Sequence, residues 1–225
     1  KMLALLGTSD VPNIVVAYQN QAATYQVVDG LIDMNPLVNS EKWGLTDADK
    51  EDFFAGFYNS DIFPTFDNQR LGIAPNRSME MLYVNLDWLE ELRSTGHISF
   101  DGAPSTPAEF REAACAATNQ PFSTASAVGA SYGYELSVDA SRFASWVFAF
   151  GGNVFDADAN QYTMNSPEAV EAMTYLQDLF ADGCAVFVAE AYGDQTNFGA
   201  GRTLFAVSSS SGLPYYQQAV DAGAG

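Results

Sequence analysis

The sequence predicts an α/β protein with parallel strands. Two observations carry that expectation. Short apolar, β-branched runs such as Asn13-Ile14-Val15-Val16-Ala17 alternate with longer stretches of helical periodicity, which argues against a bundle or a sandwich. Two of the helical stretches also open on strong start signals, Thr106-Pro107-Ala108-Glu109 and Ser166-Pro167-Glu168. There a side-chain oxygen can cap the first turn, and proline fits the first helical position.

Taken in order, Lys1-Met2-Leu3-Ala4-Leu5-Leu6-Gly7 has the pattern of a helix ending at its C′ glycine, so the chain is expected to begin inside an element of a longer protein. The run 13–17 is the first strand, followed by the polar Tyr18-Gln19-Asn20-Gln21 and a helix closed by Gly30. Thr46-Asp47-Ala48-Asp49 caps a helix over 46–57, with acids in the first turn where the helix dipole favours them. Leu71-Gly72-Ile73-Ala74 and residues 79–84 read as extended segments joined by Pro75-Asn76-Arg77-Ser78. A helix over 86–94 closes before Gly96.

The Thr106 helix extends to Thr118. A strand at 132–136, a helix at 141–150 stopped by Gly151-Gly152, and a hairpin at 153–164 follow. The Ser166 helix sets Val170, Met173, Leu176, Leu179 and Phe180 at helical spacing and ends at Gly183. An irregular stretch, 189–201, leads to a strand at 204–208, a run of serines and a helix over 213–222. That helix stops at Gly223-Ala224-Gly225 with nothing to pack behind it, again as in part of a longer chain.

The composition excludes several classes of function. A formal charge of −19, from 28 acids against 9 Lys and Arg, opposes neutralisation of nucleic-acid phosphates or anionic lipid. With 48% hydrophobic and 16% charged residues the chain should fold rather than remain disordered. No apolar run reaches the ~18–20 residues a bilayer span needs. Cys115 and Cys184 are the only cysteines and His97 the only histidine, so a zinc site has no ligand set and neither metal nor cofactor is expected. The two cysteines can form one disulfide, which suits an oxidising compartment, or remain two buried thiols.

Two motifs invite chemistry that their context withholds. Gly129-Ala130-Ser131-Tyr132-Gly133 matches a nucleophile elbow, but its strand follows the serine instead of preceding it, and His97 comes before the serine where hydrolase order puts it last. Asp156-Ala157-Asp158-Ala159-Asn160 resembles the start of a calcium loop, yet Gln161 and Pro167 stand where glycine and glutamate are required, so a hairpin turn explains it better. The acidic pairs Asp47/Asp49 and Glu90/Glu91 fall on solvent faces, and His97 has no partner at useful spacing. Three segments do suggest binding: Tyr18-Gln19-Asn20-Gln21 after a strand end, Ala189 through Phe198, and Ser208-Ser209-Ser210-Ser211-Gly212-Leu213-Pro214-Tyr215-Tyr216. They mix aromatic faces with neutral hydrogen-bonding groups, which suits sugars, and the last ends on a helix start able to accept an anion or hydroxyl. Trp146 could add a stacking face or simply pack in the core.

Several pieces recur in order and at consistent spacing: Pro12-Asn13-Ile14-Val15; Leu71-Gly72-Ile73-Ala74-Pro75 running into Arg77-Ser78-Met79-Glu80-Met81-Leu82-Tyr83-Val84-Asn85; Pro107-Ala108-Glu109-Phe110; Phe150-Gly151-Gly152; Asn165-Ser166-Pro167-Glu168-Ala169; Phe198-Gly199-Ala200-Gly201; and Ser210-Ser211-Gly212. On these the chain resembles the family 1 extracellular solute-binding proteins of ABC importers, which include maltose-binding and glycerol-3-phosphate-binding proteins. The resemblance implies a periplasmic-binding-protein-like fold, incomplete at both ends. It has a partial first lobe at 1–78, a second lobe at 79–204 and a return crossing at 205–225, with ligand in a cleft closed about a hinge. By position it implies ligand contacts at Tyr18, Gln19, Arg77, Ser78, Glu80, Trp146, Tyr192, Asp194, Ser211 and Gly212. Arg77 would meet a phosphate or acidic sugar, or form a structural ion pair across the hinge. The implied partners are a sugar or sugar-phosphate solute and the permease subunits of an importer. The implied state is a monomer, extracellular or periplasmic, lipid-anchored or secreted, with no catalysis. A hydrolase on a similar scaffold would need carboxylates from Glu80, Glu190 and Asp194, and a sensory binding module is the third alternative.

Overall fold

A computed structural model describes residues 1–126 and 129–223. Ala224 and Gly225, the end of the expected glycine-rich stop, lie outside the described residues. The chain divides into two units, Lys1–Arg77 and Ser78–Gly225.

The first unit opens on a 3-10 turn at Met2–Ala4, and Gly7 takes the left-handed backbone expected of a helix-ending glycine (φ +79). Its elements are α1 (Gln19–Gln26), α2 (Asn35–Val38), α3 (Asp47–Asp52), α4 (Ala55–Asn59), β1 (Ile62–Phe63) and β2 (Gln69–Arg70), the last two paired antiparallel. The strand expected at 13–17 does not form: no strand pairs with it among the described residues, and Ile14 and Val16 are 89% and 99% exposed. A β-branched run becomes a strand only when a neighbour supplies its ladder and its packing. The helix expected over 46–57 is interrupted because Phe53 and Phe54 take extended backbone, with ψ of 143 and 121. Its predicted start is correct, since Thr46 Oγ1 accepts the Asp49 N–H at 3.1 Å and Asp49 Oδ2 accepts the Thr46 N–H at 2.8 Å. Leu71-Gly72-Ile73-Ala74 joins no sheet.

The second unit runs β3 (Glu80–Val84), α5 (Leu86–Ser94), α6 (Pro107–Asn119), β4 (Tyr132–Leu136), α7 (Ala140–Ala149), β5 (Phe155–Asp156), β6 (Gln161–Tyr162), α8 (Pro167–Ala181), β7 (Ala185–Phe187), α9 (Gly193–Gly199), β8 (Thr203–Ser209) and α10 (Leu213–Ala222). Side chains of Asn85, Thr106, Asp139 and Ser166 each accept a backbone N–H at the helix starts, so α5 to α8 begin where their caps dictate. The sheet order is β3-β8-β4-β7, with β3 antiparallel to β8 and the remaining pairs parallel. β5 and β6 form the expected hairpin.

In the parallel register Tyr134 opposes Phe205 and Glu135 opposes Ala206. Tyr134 and Phe205 belong to the main core, where Phe110 of α6 stacks on Phe205 at 4.5 Å and meets Tyr134 edge-on at 5.2 Å. Ala206 joins a smaller cluster with Phe198 of α9 and Tyr216 of α10. Cys115 on α6 is bonded to Cys184, the residue before β7. Closing a loop with a sequence separation of 69 contributes about 4 kcal/mol in the chain-entropy model. Within the second unit β8 is an inner strand of the sheet and α10 packs on α9.

Candidate solute-binding site

The polar groups of the second unit concentrate where β8 ends and β3 begins. β8 exits at Ser209 into a 3-10 turn, Ser210–Gly212, which leads directly into α10. The turn is fixed locally: Ser209 Oγ accepts the Ser211 N–H at 3.2 Å and shares a hydrogen bond with Ser211 Oγ at 2.8 Å. It is also tied to β3, because Ser210 N donates to the Met79 carbonyl (2.8 Å) and Met79 N donates to Ser210 Oγ (3.2 Å).

Glu80, the first residue of β3, lies opposite Ser209 in the ladder. The Ser141 hydroxyl, 2.6 Å from both Glu80 Oε1 and Asp139 Oδ1, has one proton for the two carboxylates, and Glu80 Oε2 stands 3.8 Å from Arg142 Nε. Arg142 donates to the Val207 carbonyl (2.7 Å) and to the hydroxyls of Ser137 and Ser208. Glu80 Oε2, the oxygen that faces Arg142, is buried and accepts no hydrogen bond, so the guanidinium alone balances it. One end of the sheet thus gathers a carboxylate, a guanidinium and a row of hydroxyls. This array can donate to and accept from a hydroxyl-rich ligand.

Of the expected contacts in this unit, Glu80, Ser211 and Gly212 fall in the cluster. Ser78 is exposed just before it, while Gly212 is buried and Ser211 exposed. Tyr192 is 74% exposed and holds a left-handed backbone (φ +63) at the start of α9. That conformation is costly for a non-glycine residue and aims a large ring at solvent. Asp194 is 6% exposed, and its Oδ2 accepts the Tyr216 hydroxyl at 2.5 Å.

Trp146 is corrected: it packs in the core against Phe110, Tyr134 and Tyr175, and its Nε1 donates to the Tyr134 hydroxyl at 3.2 Å. A ring enclosed on these sides offers no face to a sugar. Its helix places it inward because α7 turns Trp146 and Val147 toward the sheet.

In the first unit Tyr18 caps α1 and is 75% exposed, with its N–H donating to Gln21 Oε1 at 3.0 Å. With its amide oxygen toward Arg77, Gln19 accepts from Nη1 and, at 2.8 Å, from Nη2. Nη2 also donates to Ser60 Oγ and Asp61 Oδ2, each at 2.8 Å. Of the two roles open to Arg77, the ion pair is the one formed. It lies within the first unit and does not cross a hinge.

Ser141 and Arg142 were not singled out by sequence, whereas Tyr216 closes the serine-rich segment and Tyr83 stands in one of the stretches that carry the family resemblance. Glu135, also unflagged, is 3% exposed on β4 and accepts from Asn197 Nδ2 (3.0 Å) and the Thr203 hydroxyl. Burial pushes its carboxyl above the ordinary carboxylate range, against the opposing pull of those hydrogen bonds.

The decoy motifs have structural explanations. A Cβ at Gly133 would collide with the Ala114 carbonyl, so this glycine lets α6 lie directly on β4. Asp156 Oδ1 accepts the N–H groups of Asp158 and Ala159 at 2.9 and 3.0 Å, a turn closed by its own aspartate. Asp49 caps α3, Glu90 pairs with Arg93, and His97 is exposed. A depression of about 650 Å³ along α8, lined by Phe150, Pro167, Val170 and Tyr175, shares no residue with the cluster.

A profile of bacterial extracellular solute-binding proteins matches residues 1–223, and the chain belongs to that family. No curated protein sequence matches it. Among solved structures it is similar to the GacH receptor of Streptomyces glaucescens, at 18% identity and TM-score 0.73, covering 99% of this chain and 51% of that one. It is likewise similar to UgpB from Mycobacterium tuberculosis, at 18% identity and TM-score 0.73 (97% and 50% covered). A solute-binding protein from Agrobacterium radiobacter K84 is similar at 19% identity and TM-score 0.62 (88% and 46% covered). The fold is therefore periplasmic-binding-protein-like, and the chain spans about half the length of these structures. No helix among the described residues is long and apolar enough to cross a membrane.

Proposed function

We propose that this protein is the solute-binding component of an ABC importer and that it captures a polyhydroxylated solute, a sugar, oligosaccharide or polyol, for delivery to permease subunits outside the cytoplasm. The observation that carries this reading is the cluster of Glu80, Ser141, Arg142 and the Ser209–Gly212 turn. Hydroxyl-rich ligands need alternating donors and acceptors in a fixed array, which the serine hydroxyls of the turn and the Glu80 carboxylate at the end of the sheet offer. Within the same unit, exposed Tyr192 supplies an aromatic face for the C–H side of a sugar.

The similar structures support the class of solute. GacH was solved with acarbose, UgpB with glycerophosphocholine and the Agrobacterium protein with ribitol. A neutral polyol is favoured over a phosphate ester because Arg77, the base expected to meet phosphate, is already engaged by Asp61 and Gln19. No catalytic step is proposed, since Ser131 has neither the strand-turn-helix setting nor a following histidine that a nucleophile would require.

The test is a thermal-shift screen of the protein against sugars, polyols, glycerol phosphates and oligosaccharides. A solute bound only by the native state at about 100 times its Kd adds roughly 2.7 kcal/mol and raises Tm. A rise with polyols or sugars supports the reading. A rise with glycerol phosphates alone transfers it to phosphate esters, and a flat response across the panel overturns it.

A further inference from the structure

The resemblance makes Asp194 a solute contact, but the structure gives its carboxylate another partner. Asp194 is buried and its charge is met by the Tyr216 hydroxyl at 2.5 Å, a charge-assisted hydrogen bond removed from water. Tyr216, 2% exposed, stacks on Tyr83 with centroids 4.0 Å apart and ring planes 11° from parallel. The Tyr83 hydroxyl in turn donates to the Ser209 carbonyl at 2.9 Å. The serine turn rests on this pair: a Cβ built at Gly212 would stand 3.4 Å from the Tyr216 ring and 3.6 Å from the Tyr83 hydroxyl. A continuous series of contacts therefore runs from the first turn of α9 to the turn that ends β8.

We propose that Asp194 is a positioning residue. Through Tyr216 and Tyr83 it holds the Ser209–Gly212 turn in one geometry before solute arrives, and it makes no solute contact of its own. What the turn does rests on the solute-binding reading, whereas how it is held rests on these side chains alone. The hydrogen bond is the working part, because both partners are buried and an orphaned carboxylate or hydroxyl there must find water by loosening α9, α10 or the turn between them. Asn can still accept from Tyr216, so charge and hydrogen bonding can be separated.

The experiment is amide hydrogen exchange on the free protein, read at Ser210, Ser211 and Leu213, whose N–H groups are all hydrogen-bonded. Asp194→Ala and Tyr216→Phe should each speed exchange at these amides about tenfold while α6 amides keep their wild-type rates, and Asp194→Asn should restore slow exchange. Tyr83→Phe, which leaves the stack and removes only the bond to Ser209, should loosen the same amides and serves if either variant fails to fold. Unchanged exchange in the turn, equal acceleration in α6, or an Asn variant as loose as the Ala variant would each overturn the proposal. In a solute titration Asp194→Asn should bind within about threefold of wild type, whereas a tenfold loss would restore Asp194 as a direct contact. A wild-type protein that binds nothing in the panel sinks the solute reading and leaves the exchange result standing.

Discussion

The two units of this chain use their apolar residues differently. In Lys1–Arg77 the buried apolar side chains among the described residues are Val38 and Leu71, and they are joined by the polar Gln26, Asp61 and Arg70. Ile14, Val16, Val27, Trp43 and Phe54 are exposed. In Ser78–Gly225 an aromatic core of Trp88, Phe110, Tyr134, Trp146 and Phe205 packs helices against the sheet, and a disulfide ties α6 to the residue before β7. Similar hydrophobic content has thus given one unit a core and left the other a surface. Burial, not composition, sets where stability resides.

The largest effect that could break this comparison is Trp146→Ala. It removes a buried ring with its hydrogen bond and should cost about 3–5 kcal/mol by urea unfolding. Trp43→Ala, at a site 80% exposed, should stay within about 0.5 kcal/mol. Equal costs would mean that the first unit has a core unseen here. Next, replacing Cys115 and Cys184 by serine should lower the stability of the second unit by about 2–4 kcal/mol, read as loss of exchange protection in α6 and β4. Protection in the first unit should not change.

A smaller effect concerns pH. Glu135, buried among Thr203, Asn197 and nearby Asp194, has its carboxyl raised by desolvation in the folded state. The folded protein therefore binds this proton more tightly than the unfolded chain does. The stability it contributes is complete below the ordinary carboxylate pKa and is lost as pH rises through the raised folded value. Glu135→Gln should remove that loss, leaving the variant more stable than wild type at pH 7 and flattening the pH dependence above the ordinary carboxylate range. A variant less stable than wild type at pH 7 would show that the ionised carboxylate holds α9. The smallest effect is expected at Val16→Ser, within about 0.5 kcal/mol by the same unfolding assay, since its side chain is 99% exposed.

Much of the second unit was legible because its elements announce themselves. Thr106, Ser166 and the apolar spacing of α8 fixed two helices, and the start and end of β4 and α10 were read correctly. α9 was missed because Gly193-Asp194-Gln195-Thr196-Asn197-Phe198-Gly199 has glycine at both ends and no apolar stripe; the sheet and α10 make it helical. β7 is only three residues long. In the first unit the run 13–17 had strand propensity without a partner. The serine turn was visible as a strand end followed by glycine and proline. Its partners were not, because Glu80 and Ser141 are 61 residues apart and no local pattern records that pairing.

The Cys115–Cys184 bridge has a consequence beyond the stability of the folded unit. Cys184 precedes β7, the outer strand of the sheet, which among the described residues pairs with β4 alone and whose Phe187 is 59% exposed. The bond moors that strand's first residue to α6. Reduction removes that mooring and leaves β7 held by its ladder to β4 and its packing on α8. The redox state of this one bond, between a buried and a half-buried cysteine, therefore bears on how firmly the outer strand is held.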